Sequence, residues 1–276
     1  DLPSHIGATP SSTKSQWLEP LDAIAKAKAG LVLHTTQLDC VAKQTGLFWL
    51  ENKALPATEM YTFIASRCGV PEARVSIQYL SGEVPADFSE STIWDQWKDD
   101  IAESTRKAIG PGMKSAGAFF VRNDTHAGFF LAIAQRKLFL EPIPRLIQDS
   151  TTITVRGELL ESAEELVALT TKGQFGFADC SVDASLQLPA FALSCIIDPD
   201  SPNTKIDIQS RAPGRILGNQ IAQLEFFKGN ELPKHQVNWD YQLSSIEIPP
   251  GDLPQAITHY ANHVRSLAKM QPLTLE

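Results

Sequence analysis

Up to a break at Gly110-Pro111-Gly112, apolar residues recur at intervals of three and four, the period of helices packed on one face. Trp17, Leu18, Leu21, Ile24 and Ala25 predict a first helix that stops near Gly30. A second helix, from about Thr36, carries Leu38, Val41, Ala42, Leu47, Phe48 and Leu50. A third follows Pro56, presents Met60, Phe63 and Ile64, and closes on Gly69 and Pro71. Residues 89–109 hold the strongest pattern. Ser89 or Ser91 can cap that helix, and Ile93, Trp94, Trp97, Ile101, Ala108 and Ile109 form its stripe.

Past the break the period becomes two. Residues 115–121 and 128–134 predict two strands joined by a loop from Arg122 to His126. A short apolar run at 137–140 leads into Glu141-Pro142-Ile143-Pro144-Arg145. Two prolines one residue apart make a stiff, extended connector, and the domain boundary is expected there. Strand candidates then recur at 152–156, 166–170, 175–178, 191–197, 205–209 and 221–227, a spacing that predicts a β-sandwich. Pro249-Pro250-Gly251-Asp252 precedes a last amphipathic helix, about 254–269.

Composition narrows the range of partners. The chain has 276 residues, enough for two domains, and a net charge of −8 that makes nucleic acid a poor partner. No apolar stretch is long enough for a transmembrane helix. Residues 1–15, rich in Pro, Ser and Thr, read as a flexible leader of the kind that follows a cleaved signal or a lipid anchor.

Cys40, Cys68, Cys180 and Cys195 contain no C-x-x-C and allow three pairings. Cys40–Cys68 and Cys180–Cys195 are favoured, because the domain boundary lies between the two pairs; four buried free thiols are the alternative. Each bridge would be worth roughly 3 kcal/mol and would imply an oxidising compartment.

Few motifs carry chemistry. Phosphate-binding loops, G-x-S-x-G and Ser-x-x-Lys are absent, so no cofactor and no catalytic residue is assigned. His259 and His263 have metal-ligand spacing but lack the intervening Glu of H-E-x-x-H and a third ligand nearby. Arg211 and Arg215 place two guanidinium groups in one loop, where a carboxylate or an anionic glycan could be held. The Asp198–Asn203 turn has oxygen ligands suited to calcium, although two carboxylates fit an ordinary turn better. Trp94 and Trp97 either line a groove or pack in the core, and their helical spacing favours the core. Asn123-Asp124-Thr125 fits the N-glycosylation pattern.

Asn262, Arg265 and Pro272-Leu273-Thr274-Leu275 resemble the opening helix of domains of the CAP superfamily (cysteine-rich secretory proteins, antigen 5 and pathogenesis-related proteins). The order of helices ahead of the Ser115–Val121 strand is similar to the same design. The resemblance implies residues 16–141 as a degenerate CAP-like α-β-α domain, 142–235 as an Ig-like sandwich, and 236–276 as a linker and helix opening a further CAP domain. CAP domains often bind a divalent metal through two histidines. One of these is expected just before Arg106, where this chain has Thr105, and no histidine lies between His34 and His126. The metal cleft is therefore not expected.

The expected fold class is α+β: an N-terminal α-β-α CAP-like domain, an all-β Ig-like sandwich and a C-terminal helix. The expected function is a non-catalytic binding or scaffolding module of a secreted, periplasmic or surface protein, lipid-anchored in one version. Its partners would be a downstream CAP domain of the same chain and a cell-surface ligand. Two alternatives are a hydrolase or peptidase-like enzyme with an interdomain site, and an intramolecular regulator of the downstream domain.

Overall fold

The computed structural model of the protein describes residues 2–7, 30–109, 112–148, 150–172, 176–198, 201, 203–211 and 218–232, with isolated positions at 23, 26 and between 255 and 274. The first expected helix (Trp17, Leu18, Leu21, Ile24, Ala25), Arg215 and His263 lie outside the described residues.

In the N-terminal half, four strands form one sheet: β2 (Gly30–His34), β3 (Val75–Glu83), β4 (Gly112–Arg122) and β5 (His126–Gln135). Their order is β2-β4-β5-β3, with β2 parallel to β4 and the other pairs antiparallel. Nearly every residue of β5 is buried, because helices cover both of its faces. Phe130, Ala132 and Ala134 meet α1 (Thr36–Asn52) and α2 (Thr58–Arg67). Phe129, Leu131 and Ile133 face Ile101 of α3 (Glu90–Ala108). Trp94 and Trp97 pack half-buried against that second core, as the helical spacing favours.

Local chemistry explains the helix starts. Thr35 caps α1 by accepting the Leu38 N–H at 3.3 Å, and Ser89 caps α3 by accepting the Thr92 N–H at 3.1 Å. Lys53 ends α1 in the left-handed region, φ 53°.

In the C-terminal half two sheets enclose one core. The first has the order β11 (Gly176–Asp179), β10 (Glu165–Lys172), β14 (Asn203–Arg211), β15 (Asn219–Lys228) and β8 (Leu146–Ile147). The second is β12 (Ser181–Val182), β13 (Ala190–Ile196), β9 (Thr152–Leu159) and β6 (Leu138–Leu140). Val155, Leu193, Ile206, Ile208 and Phe226 fill the space between them. Cys180 sits where the chain leaves β11 for β12, and its bond to Cys195 of β13 ties that crossing to the second sheet.

The expected fold class needs correction. Strand residues well outnumber helical ones among the described residues, and they form four sheets. The described residues do not form a CAP-type α-β-α sandwich. The reading of the first half as helices followed by a hairpin missed two strands. β3 carries Val75, Ile77 and Tyr79 in alternation, a signal present in the sequence, and β2 is a five-residue apolar run too short for periodicity to classify.

The ends of the units also differ from the reading. Leu138–Leu140 pairs with β9, so the sandwich begins before Pro142. Within the expected leader, β1 (His5–Ile6) pairs with β7 (Ile143–Pro144) of the connector, and Ile6 lies in the sandwich core. A two-residue strand leaves no pattern to read in the sequence; its partner segment supplies the order.

Candidate functional site

The two halves meet where the residues entering β3 pass β15. Glu72 forms an antiparallel bridge with Ala222, and the Gln223 N–H donates to the Pro71 carbonyl at 2.8 Å. Behind this seam Glu72 is buried and neutralised. Arg136 donates to it at 2.9 and 3.0 Å, and the Ser115 hydroxyl donates to it at 2.6 Å.

Arg145, the last residue of the proline connector, is the largest fully buried side chain among the described residues. Its guanidinium donates to the carbonyls of Pro3, at 2.9 Å, Arg67 and Ser66, and lies over the ring of Phe227. Burial lowers its pKa to about 10; Glu225 raises it and Arg67 adds to the lowering. It therefore stays charged at neutral pH. One side chain thus joins the N-terminal segment, the end of α2 and the sandwich.

Beside this junction is a cavity of about 550 Å³. One wall is α2, through Thr58, Tyr61, Thr62 and Ala65; the other is the start of β3, through Val75 and Ile77. Val41 of α1 contributes to the floor, and Gln223 and Glu225 of β15 close one end. The volume lies within the range of small-molecule and side-chain pockets, and the walls are largely apolar. Polar groups occur at the margins. Arg74 is exposed, and Glu225 accepts from the Ser66 hydroxyl and the Asn203 amide with Lys205 at 3.9 Å. Burial, with Tyr79 nearby, holds the Tyr61 hydroxyl above its ordinary pKa.

The disulfide from Cys40 to Cys68 positions this wall, with Cα atoms 5.7 Å apart. Cys40 lies in α1 and Cys68 is the C-cap residue of α2, so the bond pins the end of α2 against α1. Cys180 is bonded to Cys195, Cα atoms 4.4 Å apart. Both pairings are those the sequence favours.

Other residues singled out in the sequence take separate places. Arg211 is ion-paired with Glu165 on the adjoining strand, so its guanidinium is already engaged. Asn123 accepts the N–H groups of Thr125 and His126 at 3.1 and 2.8 Å, a turn-forming role within the hairpin. Thr105, at the position where a histidine was expected, is buried on α3 and lines a space of about 40 Å³ against β3. No group of three or more metal-ligating side chains occurs among the described residues. Asn262 exchanges two hydrogen bonds with the backbone of Leu273, and Arg265 donates to the Gln271 carbonyl at 2.6 Å. Asn262, Arg265 and Leu273, three of the residues that carry the CAP resemblance, thus take part in one local clasp.

Sequence reasoning missed the cavity, with its lining residues Tyr61, Glu72 and Glu225, and the burial of Arg145 beside it. Tyr79 beside it also went unread, although its alternation with Val75 and Ile77 was available. The pairing of Ser66 with Glu225 spans 159 positions and leaves no local signal. No protein-family model matches the sequence, and no curated protein matches it significantly, so function rests on the site itself.

Proposed function

We propose that the protein is a non-catalytic binding module that works outside the cytoplasm and holds its ligand in the cavity between α2 and β3. The observation that carries this reading is the cavity: an apolar recess with polar groups at its margin, pinned on one side by a disulfide. The two disulfides support an oxidising compartment. No described helix is long and apolar enough to cross a membrane.

The chemistry at the margin suits binding better than hydrolysis. Ser66 and Ser115 donate to carboxylates that are already held by other donors, Glu225 by the Asn203 amide and Glu72 by Arg136, so neither carboxylate is set up to take a proton from an alcohol. Glu72 is further neutralised by Arg136.

Titration with anilinonaphthalene sulfonate, an aromatic anion that brightens when its rings enter an apolar recess, tests the reading. Saturable fluorescence is expected, and it should fall at least tenfold in affinity in Ala65→Phe and in Thr62→Phe, which fill the recess from a half-buried and an exposed position. Non-saturable binding, or affinity unchanged in both folded variants, would overturn it.

A further inference from the structure

The wall opposite α2 is a sheet edge. β3 pairs with β5 and ends the order β2-β4-β5-β3, so no described strand pairs with its second edge over the nine residues Val75–Glu83. In an antiparallel pair every second residue of an edge strand turns its N–H and C=O away from its neighbour. Proteins usually shorten, charge or cover such an edge, because it can pair with any passing strand. Here the strand is long, and Val75–Leu80, its first six residues, carries no charge. All of its residues are half-buried or exposed.

Three features meet at this edge. A helix, α2, runs along the far side of the recess, so a segment lying against β3 would be flanked by Tyr61 and Ala65. The side chains on the α2 side of β3, Val75 and Ile77, line that same recess, with Tyr79 next in the alternation and stacked on Phe130 at 5.9 Å. The chain entering β3 already pairs with a strand, since Glu72 bridges Ala222 and Pro71 accepts from Gln223. A helix beside an unpaired strand edge, with pockets for alternate side chains, is the geometry that takes an extended peptide as an added strand.

Building on the binding reading above, we propose that the ligand is an extended polypeptide segment that adds to the edge of β3 with which no described strand pairs. Its backbone pairs with β3, and alternate apolar side chains enter the recess against α2. A cavity of about 550 Å³ has room for two or three large side chains, as the two-residue alternation of a strand would deliver them.

The test uses fluorescein-labelled seven-residue peptides alternating threonine with leucine, valine or phenylalanine, followed by fluorescence anisotropy. Two further sets carry N-methyl groups on the odd or on the even amides, which removes donors and leaves side chains in place. Saturable binding is expected, with one N-methylated register weakened at least tenfold and the other much less affected. Ala65→Phe and Thr62→Phe should each weaken the unmethylated peptides. Equal binding of all three peptide sets would show recognition by side chains alone and overturn the proposal. Saturable fluorophore binding with no peptide binding would overturn it too, while leaving a small-molecule module standing. Failure of both probes would remove the binding reading together with this one.

Discussion

At Gly117 the first turn of α1 crosses β4, and a Cβ there would stand 2.1 Å from the Asp39 nitrogen and 2.2 Å from the Leu38 carbonyl carbon. The Asp39 carboxylate accepts the Ala118 N–H at 2.9 Å, so a side chain of the helix also ties it to the strand. Burial raises the Asp39 pKa, and the Ala118 N–H and His34 partly oppose that rise. Gly117→Ala should therefore cost about 3 kcal/mol, by overpacking against main-chain atoms that cannot swing aside. Gly82, with nothing within 4 Å of an added Cβ, is the control and should tolerate alanine. Urea unfolding checks both; a loss below about 1 kcal/mol at Gly117 would show that α1 can move away from β4. The sequence displays a small-residue run here, Ala116-Gly117-Ala118, but not the helix that requires it.

Most elements could be read from periodicity, and those that could not have physical causes. The segments around α1, α2, α3, β4, β5 and the sandwich strands bury one face or two, and burial writes a period into the sequence. β1, β7 and β8 are two residues long, each held by a partner strand distant in sequence, so no period can form. The cysteine pairing was legible because each bridge closes a short loop within one half. Its use was not, since the Cys40–Cys68 bond also fixes α2 beside the recess. Replacing Cys40 and Cys68 with serine should lose about 3 to 4 kcal/mol by loop entropy and weaken fluorophore binding. Replacing Cys180 and Cys195 should lose a similar amount and leave binding nearly unchanged, because that bond lies in the sandwich. Equal effects on binding from the two pairs would show that the first bridge does not position the site.

For the molecule as a whole, Arg145 decides how the halves are joined. Removing it leaves three carbonyls, of Pro3, Ser66 and Arg67, without their buried donor. Arg145→Met keeps most of the volume, so its cost measures the lost hydrogen bonds and charge. A loss of about 3 to 5 kcal/mol is expected, with unfolding separating into two transitions as the halves uncouple. Calorimetry showing one transition at nearly unchanged stability would argue that the β15 seam holds the halves alone. By itself the sequence determined the helical and extended periods, the favoured cysteine pairs and the acidic surface, because each is set by neighbours in the chain or by composition. Tertiary structure alone decided the mostly β architecture, the burial of Arg145 and the place of β3 at the end of its sheet beside the recess, among the described residues. Those depend on which distant segments meet, as Ser66 and Glu225 do, and side-chain patterns record that a face is buried without recording what covers it.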